Sequence, residues 1–282
     1  MKIRNIFFPT DFSRAADQSF LYALLLGDAW DATITTFHAY HPLKSPAATH
    51  MPITMQRIYE SMELAEFENY RDSIPELRAI AERNGFGEVA LQHVMVESKQ
   101  VVHSILQGAE EEKADIIVMG TTGASGLKGI FLGSVAGEVL SKATCPVLAV
   151  PESSSFDGRL DRIAFTTNYK EEEKKGLEEL IDFAEPFDAE IHCINVDTSH
   201  THFYHQRMNK LRAEYQQYQQ LQFEVLDGLD ILEELSGYLR TRPIDILAMV
   251  THRRTFLQQW FNYSKTKQMA YQASTPILSF PE

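Results

Sequence analysis

Cysteine is nearly absent from this 282-residue chain: only Cys145 and Cys193 occur, and they form no Cys-x-x-Cys pair. That excludes a disulfide framework and a thiolate zinc knuckle. Basic charge is short as well, 26 Lys and Arg against 39 Asp and Glu, for a formal net charge of −13. Such a surface repels phosphate backbones and anionic lipid, so nucleic acid and membrane are not expected partners. Long apolar runs are missing too. The amino-terminal run, residues 6–9, is too short for a secretion signal, and none approaches the roughly 20 residues of a membrane span. The expected location is the cytoplasm.

Familiar catalytic and phosphate-binding patterns are also missing. No Gly-Lys-Ser/Thr closes a G-x4-G spacing, and G-x-G-x-x-G does not occur. There is no His-Glu-x-x-His, and neither Ser125 nor Ser134 has a recognisable His–Asp pairing. The acidic triplets Glu110, Glu111, Glu112 and Glu171, Glu172, Glu173 read as helix-surface charge. No catalytic residue is assigned.

The strongest positive signal lies between residues 116 and 140. Ile116, Ile117, Val118 and Met119 read as a buried strand, and the apolar-periodic stretch after Gly133 reads as a helix capped by Ser134. Between them Gly120, Gly123 and Gly133 follow the spacing G-x2-G-x9-G-S. Glycine lets backbone N–H groups approach a ligand closely, and a helix N-terminus favours anions. Lys128 is the only charged side chain from 116 to 137, so no carboxylate there opposes a phosphate. The pattern reads as a nucleotide-phosphate loop. The plain alternative is a strand-to-helix loop that uses glycine without a ligand.

The chain also repeats itself. Residues 6–13 align with 163–170 at an offset of 157, which pairs Asp11 with Asn168 and Asp31 with Asp188. From residue 91 onward the offset is 130, pairing Asp115 with Asp245 and Pro146 with Pro276. At that offset 14 of the 62 positions from 91 to 152 are identical, and most other pairs exchange one apolar residue for another. The expected division is a domain over residues 1–152, a flexible linker over 153–158 and a second domain over 159–282. The change of offset places an insertion in the first copy, including residues 41–62.

Strands and helices alternate within each copy. In the first, strands are expected at 3–9, 34–39, 89–96, 116–120 and 147–150, and helices at 14–30, 59–84, 101–113 and 134–143, with Gly85 as a helix C-cap. Alternation of this kind gives a parallel sheet covered by helices on both faces. Ligands in such sheets sit beyond the carboxyl ends of the strands, where strand order switches.

These segments resemble the universal stress protein family. Residues 6–13, with Pro9 and Asp11, resemble its first strand and turn; the spacing of Gly120, Gly123, Gly133 and Ser134 resembles its ATP-binding loop; residues 115–120 and 144–150 resemble its later strands. The resemblance implies an α/β fold, two tandem copies of a five-stranded parallel-sheet, adenine-nucleotide-binding domain of the Rossmann-like, HUP type. It implies ATP or AMP as ligand, with or without Mg. The nucleotide would lie on Pro9, Thr10, Asp11, Ala39, Val96, Met119, Gly120, Gly123, Gly133, Ser134 and Val135, with Ala39 and Val96 entering by position alone. Asp11 and the early strand ends would face the base, and the Gly loop and Ser134 the ribose and phosphates. Family members often pair through their last strand, so the tandem chain would be an intramolecular pseudo-dimer, with a further homodimer left open.

The second copy departs from this pattern. Gly120, Gly123 and Gly133 become Val250, Arg253 and Tyr263, and Asp11 and Pro9 become Asn168 and Thr166. Such residues neither take positive φ cheaply nor leave room for phosphate, so this copy is not expected to bind ATP in the family manner. His252, Arg253 and Arg254 could instead hold an anion or form a solvated loop. A separate candidate, for zinc, is His200, His202 and His205, preceded by Asp197; a polar surface loop is its plain alternative. The preferred reading is a regulatory protein of the stress response that binds nucleotide in its first copy. An interaction module with vestigial sites and a slow ATPase are the alternatives.

Overall fold

The computed structural model of the chain describes residues 1–40, 72–121, 133–250 and 274–281. Its short apolar runs form strands. The first half contains β1 (Asn5–Pro9), β2 (Thr33–Tyr40), β3 (Leu91–Glu97), β4 (Ile116–Gly120) and β5 (Val147–Val150). The second contains β6 (Arg162–Thr166), β7 (Glu190–Asp197), β8 (Leu221–Asp227), β9 (Ile246–Val250) and β10 (Ile277–Phe280). Amphipathic stretches form α1 (Arg14–Trp30), α2 (described over residues 72–83), α3 (Val101–Glu111) and α4 (Ser134–Lys142). They also form α5 (Lys174–Ala184), α6 (Phe203–Glu214) and α7 (Ile231–Thr241).

The strands make one sheet in the order β3-β2-β1-β4-β5-β10-β9-β6-β7-β8. Read inward from either edge, each half runs third, second, first, fourth, fifth. Pairing within each half is parallel, and the single antiparallel junction is β5 with β10. At that junction Val147 faces Ser279, Leu148 faces Leu278 and Ala149 faces Ile277. Leu148 and Leu278 are related by the repeat offset of 130, and the flanking pairs exchange about them, 147 facing the counterpart of 149 and 149 facing the counterpart of 147, so the junction is self-complementary about the two leucines, as a two-fold interface is.

Helices cover both faces. Phe8, Phe20, Leu24, Leu77, Leu177, Leu180, Met208 and Leu211 belong to one apolar layer, beneath α1, α2, α5 and α6. Phe7, Phe37, Ile105, Val139, Leu140, Leu235 and Leu239 belong to the other, beneath α3, α4 and α7. Each layer contains residues of both halves. Neighbouring residues Phe7 and Phe8 point to opposite layers, as the strand period of two requires.

Local devices recur at the repeat offsets. Asp115 accepts the backbone N–H groups of Arg4 and Asn5 at 2.7 and 2.9 Å, and Asp245 accepts those of Asp161 and Arg162 at 2.8 Å. Asp31 and Asp188 both adopt left-handed backbone, φ 50° and 51°, Asp31 as the C-cap of α1 and Asp188 after the short 3-10 turn Glu185–Phe187 that follows α5. Phe12 and Tyr169 do the same after the first strand of each half, φ 57° and 53°. Gly85 has φ +85°, with its own N–H on the Glu82 carbonyl and that of Phe86 on the Ala81 carbonyl. That is the helix-ending arrangement that favours glycine.

Two expectations change. Residues 153–158 are not a loose linker: Ser154 is buried, its carbonyl accepts from Gln18, and Phe156 packs edge-on against Tyr22 of α1. Burial pushes the Tyr22 hydroxyl up to about 12. Strand β1 starts at Asn5 rather than at residue 3, because pairing with β2 begins there. Residues 41–62 and the start of the helix expected at 59 lie outside the described residues. Among the described residues no helix is long and apolar enough to cross a membrane.

Candidate functional site

In this strand order the chain leaves β1 towards β2 but returns on its other side as β4, which opens a crevice at their carboxyl ends. A cavity of about 250 Å³ lies there. Pro9, Phe37, Ala39, Met119 and Gly120 line it from the strands, Val101 and Ile105 from α3, and Thr10, Asp11 and Ala16 from the turn into α1. Thr121, Gly133, Ser134, Val135 and Ala136 complete the described lining. Asp11 is its one ionisable side chain among the described residues.

The turn after β1 is tightly held. The Thr10 N–H donates to the Phe37 carbonyl at 2.9 Å, and His38 Nδ1 lies 2.9 Å from the Thr10 carbonyl, where it donates as the Nδ1–H tautomer. Thr10 Oγ1 accepts the Phe12 N–H at 3.0 Å, Asp11 Oδ1 the Ser13 N–H at 3.1 Å and Ser13 Oγ the Ala16 N–H at 3.3 Å. Asp11 is therefore both the turn-forming residue at a helix N-terminus and part of the cavity wall.

The opposite wall is the path from β4 to α4. Thr121 donates its N–H to Val150 at 2.9 Å, and the Gly133 N–H returns to the Thr121 carbonyl at 2.6 Å. Residues 121 and 133 thus meet at the mouth of the cavity. Gly133, not Ser134, is the N-cap of α4: it is extended (φ −69°, ψ 159°) and supplies no side-chain cap, and Ser134 is the first helical residue. The uncapped first turn therefore faces the cavity, and its N–H groups and dipole favour an anion there.

Nine of the eleven expected residues line this one cavity: Pro9, Thr10, Asp11, Ala39, Met119, Gly120, Gly133, Ser134 and Val135. Val96 is not among the lining residues. It lies on edge strand β3, which pairs only with β2, about 10 Å from β1 at the usual strand spacing. Gly123, Ser125 and Lys128 lie outside the described residues. Ala16, Phe37, Val101, Ile105, Thr121 and Ala136 escaped the sequence reading. Two of them had a signal: Phe37 shares a strand face with Ala39, and Ile105 follows Val101 by one helical turn.

The corresponding crevice of the second half is built differently. Val250 stands where the first half has Gly120, and a Cβ on Gly176 of α5 would collide with its Cγ2. Asn195 donates to the Thr167 carbonyl at 2.8 Å, repeating the His38 contact with Thr10. Glu173 is buried against Thr167 and Asn168. His252, Arg253, Arg254, Tyr263 and Ser264 lie outside the described residues.

The candidate zinc ligands do not assemble. Among the described residues no group of three or more His, Cys, Asp or Glu could hold a metal ion. Asp197 Oδ1 instead accepts the Ser199 hydroxyl and N–H at 2.6 and 2.9 Å, bonds that hold its carboxyl below the usual range. His202 and His205 stack edge-on with ring centroids 5.9 Å apart, and His200 occupies a left-handed turn. Cys193 is buried in the core, which pushes its thiol far up, while His192 Nδ1 pairs with the Tyr238 hydroxyl at 2.7 Å.

A parallel sheet covered on both faces, with a cavity at its switch point, defines a Rossmann-like α/β protein. The family model described as the universal stress protein family matches residues 2–151. A universal stress protein of Methanocaldococcus jannaschii is 30% identical over 147 residues, 52% of this chain and 81% of that protein. One of Thermus aquaticus is 30% identical over 147 residues, 52% of this chain and 98% of its own. The chain belongs to the universal stress protein family. Its fold is also that of the solved universal stress protein of Archaeoglobus fulgidus: TM-score 0.69 at 15% identity, covering 100% of this chain and 97% of that one.

Proposed function

We propose that this protein is a cytoplasmic regulator that binds one adenine nucleotide, ATP or AMP, in the crevice of its first half. The second half acts as a partner domain in an intramolecular pseudo-dimer. The observation that carries this reading is the convergence of the turn at Asp11, the glycines at 120 and 133, and the uncapped start of α4 on one cavity. The apolar lining from Phe37, Ala39, Val101 and Ile105 suits a planar base, and the N–H groups of Ser134 and Val135 suit phosphate oxygens. Magnesium would arrive on the phosphates, because Asp11 is the one carboxylate on the described lining. The strand used for pairing in the family is occupied within the chain by β5 and β10, so a further homodimer would need another surface.

Denaturing the purified protein and identifying the released small molecules by mass tests this reading. An adenine nucleotide is expected from the native chain and not from Gly133→Tyr, which copies the second half. No nucleotide, together with no thermal shift in excess ATP or AMP, would overturn it.

A further inference from the structure

Glu173 breaks the expectation that its acidic triplet is surface charge: it is 5% exposed, while Glu171 and Glu172 face solvent. A buried carboxylate needs hydrogen bonds in place of water. The turn after β6 supplies them to Glu173 Oε2, from the Thr167 hydroxyl at 2.7 Å, the Asn168 N–H at 2.8 Å and the Lys170 N–H at 3.3 Å. At the repeat offset of 157, Thr167 and Asn168 correspond to Thr10 and Asp11, and Glu173 corresponds to Ala16. All three first-half residues line the cavity.

The backbone frame is the same on both sides. Thr10 and Thr167 each donate their N–H at 2.9 Å to the neighbouring strand, and Phe12 and Tyr169 share the left-handed turn. Their N–H groups bond Thr10 Oγ1 and Thr167 Oγ1 at 3.0 and 2.8 Å. The difference is therefore in the side chains. Part of the Glu173 contact is ordinary capping, since Lys170 replaces the capping Ser13 and Glu173 reaches back to the Lys170 N–H. The bonds to the Thr167 hydroxyl and the Asn168 N–H go beyond a cap. They satisfy the groups whose counterparts border the open cavity.

We propose that Glu173 is a built-in occupant of the second crevice, closing it to anionic ligands by volume and by charge. Position 16, and its counterpart 173, then decides which half is open: alanine leaves the crevice available and glutamate fills it from within.

Two measurements on the full chain test this, and only the first rests on the nucleotide reading. Ala16→Glu should weaken ATP binding more than about tenfold while circular dichroism and melting temperature stay near those of the parent. Equal affinity in parent and variant would overturn the inference. Absence of binding by the parent strikes the nucleotide reading instead and leaves the second measurement to decide. In that measurement Glu173→Ala is melted in sodium formate and, at equal ionic strength, in sodium chloride. Formate should raise its melting temperature saturably, or restore its fold if the variant unfolds, by returning a carboxylate to the vacated donors. Equal effects of formate and chloride would overturn the inference.

Discussion

Leu148 and Leu278 face one another at the centre of the antiparallel junction, both fully buried, and they occupy the same position in the two repeats. The contact of each half with the other is thus a contact of like with like. Truncation there opens a cavity in the middle of the sheet. Leu148→Ala and Leu278→Ala should each cost about 2–5 kcal/mol in urea unfolding. The double variant should deviate from simple addition, because the two side chains are direct neighbours.

Gly176 and Val250 show how the second half adapted to losing a glycine. Where the first half has Ser19 on the helix and Gly120 on the strand, the second has glycine on the helix and valine on the strand. Gly176→Ala should destabilise the chain by about 1–3 kcal/mol through overpacking against Val250 Cγ2. Val250→Ala in the same chain should recover most of that loss. Urea midpoints of the two variants decide the matter.

Asp197 gives the second half an acid-sensitive anchor. Its carboxyl is held below the ordinary range by the Ser199 hydroxyl and by backbone N–H groups of the following turn. A depressed carboxylate stabilises the fold above its unfolded value, and that contribution is lost as pH falls through the folded one. The melting temperature should therefore fall as the pH is lowered through and below the ordinary carboxylate range. Asp197→Asn should start lower at neutral pH and show a shallower drop over the same interval.

Much of this was legible in the sequence for a physical reason: fully buried parallel strands leave apolar runs that glycine and polar loops punctuate. The runs at 116–120 and 147–150 coincide with β4 and β5, and the offsets of 157 and 130 recover the repeated roles of Asp115 and Asp245. What stayed hidden depends on neighbours distant in sequence. Glu173 reads as the end of a charged run because nothing local shows that Thr167 and Asn168 turn back onto it. Val96 stands outside the cavity lining because position along a strand does not say how far that strand lies from the switch point. Serine caps helices more often than glycine, which points to Ser134, whereas here the return of Gly133 to Thr121 makes Gly133 the cap and starts the helix at Ser134.

The central claim is asymmetry: one open crevice per chain, on the side of Asp11 and Gly120. Isothermal titration of the full chain with ATP and with AMP tests it most directly. The account predicts one site per chain, removed by Gly133→Tyr and retained in Val250→Ala. Two equivalent sites per chain, or a single site that survives Gly133→Tyr, would contradict it.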